Sequence, residues 1–279
     1  MIGVQWPSTG ESRCEVRGAN TTTTSGVTVT ATAATADSKG SWANIGATTS
    51  FDYRCISIQF LASTGLNAKY VDIGLVVGGN QFVIAENLMI PATRKDPTLG
   101  MNYFLPLFIP AGSQLCCRIA DNGASSTVAV VIHGYSNGLY GSMACFSRCR
   151  SLTTPAAAQG VALDAGATAN IKGAYAELDA SLAFNTCGLL LTVGLNNDNS
   201  RIAATMRFDV AIGGSGSEQI ILADIPLAWN TSVDGPLQTN QLLLPAYIPL
   251  GTRLAARCQC NTNTAGDRTI DLSAWGFEP

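Results

Sequence analysis

The sequence predicts an all-β protein made of two tandem antiparallel β-sandwich domains that are jelly-roll-like. Three observations lead to this prediction. One long motif occurs twice along the chain, apolar and polar residues alternate in short runs, and turns rich in glycine, asparagine and proline separate these runs. Alternation with a period of two is typical of a strand with one buried and one polar face. About eight such runs in each half of the chain indicate a sandwich of two sheets, with a jelly roll as the favoured topology.

The repeated motif is Leu105 to Arg118, which returns as Leu244 to Arg257, and seven of the fourteen positions are identical. It contains the element Ile-Pro-x-Gly, which is typical of a turn, because proline ends the preceding strand and glycine accepts the positive φ that starts the next one. A match of this length indicates duplication. The residues of this repeat motif are Ile109, Pro110, Gly112 and Arg118 in the first copy, and Ile248, Pro249, Gly251 and Arg257 in the second.

The similarity extends to both sides of the motif. The further matches are Lys39-Gly40 with Lys172-Gly173, Trp42 with Tyr175, Phe51 with Phe184, Val71-Asp72-Ile73 with Phe208-Asp209-Val210, and Gly134-Tyr135 with Gly276-Phe277. The offset between matched residues grows only from 133 to 142. The two copies are therefore complete units of the same fold.

The repeat divides the chain into four segments. We expect an N-terminal arm over residues 1–26, a first β-sandwich domain over 27–135, a linker over 136–157 and a second β-sandwich domain over 158–279. The linker is rich in serine, glycine, alanine and proline, as domain linkers usually are. The arm includes the first part of an uncharged, threonine-rich run at 21–36.

Charged residues make up only 13% of the chain, about half of the ~25% that is usual, and the net charge is -3. This composition leaves no basic surface for nucleic acid, because binding to phosphates depends on clustered lysine and arginine. No apolar run approaches the ~18 residues of a membrane-spanning helix, and the N-terminal residues lack a secretory signal. We therefore expect synthesis in a cytoplasm, and neither nucleic acid nor a membrane as a partner.

The sequence indicates no catalytic residue, no cofactor and no metal site. His133 is the only histidine, and its strand position is taken by Trp275 in the other copy, so we interpret it as an outward-facing surface residue. The nine cysteines lack paired spacing and are interpreted as reduced, small apolar residues. The loop at 196–200 is rich in oxygen ligands but lacks the spacing and the closing glutamate of a calcium-binding EF-hand.

Two pairs of charged residues recur at matching places. Asp72 and Asp209 lie in different domains, which disfavours an acid/base pair and favours solvated or hydrogen-bonded strand residues. Arg118 and Arg257 recur on the strand after the Ile-Pro-x-Gly turn. An arginine–aspartate contact within each domain is one hypothesis that accounts for both repeated charges.

These residues resemble a family of small β-sandwich proteins encoded in the structural gene clusters of tailed bacteriophages. The resemblance rests on the Gly-aromatic start of each unit, the phenylalanine before its central strands, the repeat motif and a last strand ending in Gly-aromatic. It covers both copies. It implies a non-enzymatic component of the virion, on the tail, the neck or the capsid surface. The implied partners are other copies of the chain and other virion proteins, after synthesis in the cytoplasm of the bacterial host.

A second functional hypothesis is a carbohydrate-binding module by which a phage tail attaches to its host. Jelly rolls often carry lectin sites, and such sites need exposed aromatic side chains. Trp229, which we expect in a loop with the sequence Leu-Ala-Trp-Asn-Thr, is the tryptophan that fits a glycan contact. The corresponding stretch of the first copy, around Arg94-Lys95-Asp96, has no aromatic residue, so a glycan site there is not duplicated.

We expect that no cysteine pair is bridged in the native protein, because a cytoplasm is reducing and the adjacent Cys116 and Cys117 point to opposite faces of a strand. Thiol titration of the denatured protein, without reductant, should count nine free groups. A count of seven or fewer is incompatible with this expectation.

Overall fold

The computed structural model describes residues 13–19, 26–31, 38–63, 69–90, 101–121, 126–136, 146–153, 160–194, 204–229 and 242–279. Every regular element within these ranges is a strand. The described residues include no helix that is long and apolar enough to cross a membrane. The predicted all-β fold, with tandem antiparallel β-sandwiches, is confirmed.

Each half of the chain contributes nine strands to the described structure. In the first half they are β1 (Cys14–Arg17), β2 (Val27–Thr30), β3 (Ala43–Asn44), β4 (Cys55–Ser63), β5 (Lys69–Val77), β6 (Asn80–Ile90), β7 (Met101–Leu105), β8 (Gln114–Asp121) and β9 (Thr127–Tyr135). In the second half they are β10 (Arg148–Ser151), β11 (Val161–Asp164), β12 (Ala176–Asp179), β13 (Leu189–Gly194), β14 (Ala204–Ile212), β15 (Gln219–Trp229), β16 (Leu242–Leu244), β17 (Leu254–Cys260) and β18 (Thr269–Glu278).

The two halves pair their strands in the same way. The first half has one sheet in the order β2-β9-β4-β7, with β1 also on β9, and a second sheet in the order β3-β8-β5-β6. Adding nine to each number gives the pairings of the second half, β11-β18-β13-β16, with β10 on β18, and β12-β17-β14-β15. This connectivity is that of an eight-stranded jelly roll with one added strand. It follows from the duplication visible in the sequence.

The alternation in the sequence places the core between the two sheets of each unit. Ile56, Ile58 and Phe60 of β4 are buried, and so are Leu189, Leu191 and Val193 of β13. The glycine of each Ile-Pro-x-Gly turn has a positive φ, +78° at Gly112 and +80° at Gly251. Ile109 and Ile248 are buried before that turn and exchange backbone hydrogen bonds with Tyr53 and Thr186 respectively. The repeat motif is thus a structural element of both units.

One strand joins the two sandwiches. β10 pairs antiparallel with β18 of its own unit and parallel with β6 of the first unit, where Cys149 lies opposite Ala85. A single nine-stranded sheet therefore runs through both units. We call this junction the seam. Trp275 of β18 is buried against Tyr103 of the first unit, with ring centroids 5.9 Å apart, and its indole N–H donates to the Glu86 carbonyl at 2.9 Å.

Two of the predicted segment boundaries need correction. The predicted arm, 1–26, contains β1, whose four residues all pair with β9. The predicted linker, 136–157, contains β10. Both strands are only four residues long and carry two charged residues each, so they show no apolar run in the sequence. Residues 1–12, 20–25, 137–145 and 154–159 lie outside the described residues, and the remaining domain limits stay a prediction.

An aromatic ring covers a glycine on the last strand of each unit. A Cβ added at Gly134 of β9 would overlap the Tyr53 ring, and one at Gly276 of β18 would come within 2.9 Å of Phe184. Glycine at these positions lets the ring lie directly on the backbone of the strand. This packing accounts for the Gly-aromatic match at the end of both copies.

We expect Gly134→Ala to lower the free energy of unfolding by about 1–3 kcal/mol, because the buried Tyr53 ring has no room to yield. Gly214→Ala is the control, since the nearest atom to a Cβ there is Ser217 Oγ at 3.3 Å in an exposed turn. Its effect should stay within about 0.5 kcal/mol. Urea unfolding of both variants measures the difference. Equal midpoints for the two variants contradict the proposed packing.

Candidate functional site

Asp72 of β5 is the centre of a cluster of charged residues in the first unit. It is buried and lies directly opposite Arg118 of β8. Arg118 Nε donates to Asp72 Oδ2 at 2.9 Å, and Lys39 Nζ donates to Oδ1 at 2.8 Å. The backbone amide of Asn87 in β6 donates to the same Oδ1 at 2.9 Å. We call this arrangement the first ionic cluster.

The second unit holds the same cluster around Asp209 of β14. Arg257 Nε donates to Asp209 Oδ2 at 3.0 Å, Lys172 Nζ to Oδ1 at 2.6 Å, and the backbone amide of Asp224 to Oδ1 at 2.9 Å. Here Lys172 also pairs with the Asp224 carboxylate at 2.7 Å. The arginine–aspartate contact considered from the sequence is therefore present in both units. We call this arrangement the second ionic cluster.

Each arginine lies between its aspartate and an aromatic ring. The guanidinium carbon of Arg118 is 4.5 Å from the centroid of Trp42, and that of Arg257 is 4.6 Å from the centroid of Tyr175. A cation over a ring face is attracted by the negative face of the π-system. The matched aromatic residues near the start of each copy thus hold the guanidinium in place.

Each cluster also fixes an irregularity in the neighbouring strand. Asn87 has a φ of 50° and Asp224 a φ of 54°, a left-handed conformation that asparagine and aspartate tolerate better than most residues. The pairing of β5 with β6 and of β14 with β15 shifts register close to these residues. The central carboxylate accepts the amide that the irregular backbone frees from the ladder, so the cluster stabilises the same distortion in both units.

In the second ionic cluster, electrostatics favours the charged form of Asp209. Burial alone raises the pKa of Asp209, but the hydrogen bonds from Lys172, the Asp224 amide and Arg257 outweigh it, and the pKa lies below its ordinary value. Burial lowers the pKa of Lys39, and the Asp72 carboxylate beside it opposes that effect. In each cluster the aspartate and the lysine thus stabilise each other's charged form.

The geometry of these clusters is that of a structural support. The Asp72 and Asp209 side chains are only 4% and 3% exposed, and both oxygens of each accept hydrogen bonds from the protein. The two aspartates lie in separate sandwiches, each with its own arginine and lysine. Each carboxylate therefore accepts three hydrogen bonds from its own unit.

The two units differ where the sequence does. Arg253 of the second unit bonds Glu177 and Glu218, at 2.9 and 3.1 Å, whereas Gln114 at the same place in the first unit bonds the Gly46 carbonyl. Glu15 of β1 accepts hydrogen bonds from Tyr53 and Ser50. The equivalent position in β10 of the second unit is the positively charged Arg150.

The guanidinium carbon of Arg150 lies 4.7 Å from the centroid of the Phe184 ring. Sequence reasoning missed this pair of positions. The dipeptide Arg-Cys at 13–14, which returns at 148–149, was the available signal.

The remaining candidate residues are distributed as follows. His133 lies half-buried on β9, and this burial lowers its pKa. Trp229 has its backbone at the end of β15, paired with Ala204, and thus lies in a strand where a loop was expected. Its side chain, the Arg94-Lys95-Asp96 stretch and the loop at 196–200 are outside the described residues.

Cysteines of the described structure are unbridged. Eight are free, and Cys145 lies outside the described residues. Burial raises the pKa of the Cys116 thiol to about 11 and that of Cys258 to about 12. Among the described histidine, cysteine, aspartate and glutamate residues, no group of three or more is placed to hold a metal ion.

Fold and site together define a tandem jelly-roll protein in which each unit holds one buried ionic cluster. No protein-family model matches the chain, and no curated protein matches it. A solved structure of PNGF-II is similar with a TM-score of 0.34 and 6% identity, over 91% of this chain and 65% of that chain. The CBM22-1-CBM22-2 tandem domain of Paenibacillus barcinonensis Xyn10C is similar with a TM-score of 0.25 and 9% identity, over 97% of this chain and 92% of that one. Likenesses this low carry no information on activity.

We expect Asp209→Asn to lower the free energy of unfolding by about 2–3 kcal/mol, because it leaves the lysine and arginine of a largely buried ion group without their counter-charge. The matched control is Asp224→Asn, which makes the second cluster chemically identical to the first at that position and removes only a 52% exposed carboxylate. Its cost should stay below about 1 kcal/mol. Urea unfolding near neutral pH measures both.

The wild-type protein and the Asp209→Asn variant also allow a test by pH. Because the pKa of Asp209 is lower in the folded state than its ordinary 3.8, its stabilisation is complete above about pH 4 and is lost as pH falls through the folded pKa. Asp209→Asn has no such carboxylate to titrate. The stability gap between wild type and variant should therefore narrow on acidification, and a gap that is constant down to about pH 2 contradicts the assignment.

Proposed function

We propose that this chain is a non-enzymatic structural component of a bacteriophage particle that assembles as a homo-oligomer. The observation that carries the proposal is that the recurring charged residues of both units bind each other. Asp72 and Asp209 are buried, and each accepts hydrogen bonds from an arginine, a lysine and a backbone amide of its own unit. Duplication has therefore preserved groups that hold a sandwich together, which is what a building block of a particle requires.

The surface supports the assembly part of the proposal. β15 is an edge strand, and Ile220 and Ile221 on it are 46% and 39% exposed. Monomeric β-proteins usually protect such edges with charge, because an unpaired edge is a template for another strand. Tyr247 and Leu250 add further exposed apolar surface beside the second Ile-Pro-x-Gly turn. Apolar surface of this kind is suited to burial against neighbouring subunits.

The position within the particle is proposed only as tail, neck or capsid surface, on the resemblance of the repeat motif and the Gly-aromatic ends to phage structural proteins. The alternative is a glycan-binding adhesion module, with Trp229 as the contact. Both proposals place the protein in the virion, but they differ in what the exposed surface binds. The copy number and a glycan-binding assay separate them.

We expect mass spectrometry of purified particles to detect the protein at a fixed copy number, from tens for a tail or neck protein to hundreds for a capsid-surface protein. The purified chain should sediment as an oligomer in analytical ultracentrifugation. A chain that stays monomeric at high concentration and is absent from particles contradicts the proposal. Binding of the monomer to host glycans, abolished by Trp229→Ala, establishes the alternative in its place.

A further inference from the structure

The seam between the two units uses one face of each unit and leaves the equivalent faces free. The first unit contributes its β6 edge, and the second contributes β10 and the outer side of β18. By the internal repeat, β15 is the counterpart of β6, and β1 is the counterpart of β10. Within the described residues, nothing pairs with the outer edge of β15 or of β1. Each molecule thus carries one unused half of the seam at either end.

Equivalent residues of the two units differ in solvent exposure according to whether they lie in the seam. Cys149 and Ala85, opposite each other in the seam, are 1% and 0% exposed. Their counterparts, Cys14 of β1 and Leu222 of β15, are exposed and half-buried. The same residue positions are therefore covered where two units meet and uncovered where they do not.

The outer face of the first unit also matches the face that the second unit uses. Trp275, which donates to the Glu86 carbonyl across the seam, corresponds to His133, a ring of the same donor type on β9. Glu86 corresponds to Ala223 of β15. Val16 of β1 is 39% exposed beside this face and adds apolar surface.

The edge of β15 carries one proline. Pro226 takes the place of Met89 and has no N–H to donate, which limits the length of strand that can add here. The Ala85–Cys149 contact lies four residues earlier along the strand, so the equivalent contact at Leu222 is clear of the proline. The residues around it, Ile220 to Ala223, are apolar.

From these equivalences we propose that β1 of one chain adds parallel to the β15 edge of a second copy, with Cys14 opposite Leu222, and so repeats the seam between molecules. The proposal rests on the homo-oligomer of the proposed function and specifies its contact. The contact is head-to-tail, because each molecule offers β1 at one end and β15 at the other. Such contacts produce a ring if the rotation closes and a filament if it does not.

A cysteine placed at position 222 tests the register. Leu222→Cys puts a thiol opposite the native Cys14 of the next molecule, and mild oxidation should give disulfide-linked dimers and higher species on a non-reducing gel. Adding Cys14→Ser should reduce these species at least tenfold. Ala85→Cys is the geometric control, since it forms the corresponding pair with Cys149 inside one chain, and peptide mass mapping identifies each bridge. Cross-linking that persists without Cys14 overturns the proposed register.

A charge on the edge tests the contact without a cross-link. Ile221→Lys should convert the oligomer to monomer in analytical ultracentrifugation, because a lysine blocks strand addition. Val77→Lys is the matched control on an exposed apolar residue away from the seam, and it should leave the mass unchanged. Near-ultraviolet circular dichroism verifies that both variants are folded.

The outcomes separate the two proposals. Suppose that the wild-type chain is oligomeric, that the Leu222→Cys variant forms no bridge to Cys14, and that Ile221→Lys leaves the mass unchanged. That result overturns this contact and leaves the proposed function standing. A wild-type chain that is monomeric overturns this contact together with the homo-oligomer of the proposed function.

Discussion

The seam depends on a strand of four residues that hydrogen-bonds along both of its edges. β10 completes the sheet of the second sandwich through β18 and extends the sheet of the first through β6. Phe146, which precedes β10, adds two backbone hydrogen bonds to the first unit, with Pro106 and Phe108. Because Leu190, Trp275 and Phe277 also pack into the core of the first unit, the two sandwiches share apolar surface as well as a sheet. The relative placement of everything else in the molecule follows from this strand.

Within each sandwich the ionic cluster connects several chain segments by directed hydrogen bonds, which apolar packing does not provide. Through a single carboxylate it joins the irregular segment before the first short strand of that sheet, the two central strands and the irregular strand next to them. Buried ion groups contribute less to net stability than their geometry suggests, because desolvation opposes the attraction between the charges. The clusters also match one register, since only one register of β5 against β8 places Asp72 opposite Arg118.

Much of this was predictable from the sequence, and the failures have physical causes. Alternation and duplication predicted the sandwiches, the core strands and the turn at each Ile-Pro-x-Gly. Strands β1 and β10 were missed because a four-residue strand with two charged residues has no apolar periodicity. The arginine–aspartate contact could be considered because both charges recur. Lys39 and Lys172 matched in sequence, but their role depends on a segment without regular structure, whose path only the fold determines. Asn87 and Asp224 donate through their backbone amides, which every residue type except proline has, so the sequence does not mark them.

The seam also has a consequence for the making of the protein. β10 obtains its own-unit partner only from β18, residues 269–278, more than a hundred residues further along the chain. During synthesis the first sandwich can close once β9 has emerged, while β10 must wait with one edge exposed. A chain that stops before β18 therefore lacks the strand that holds the junction together. The junction therefore forms only after β18 has emerged, so it distinguishes chains that contain all of β18 from chains that stop before it.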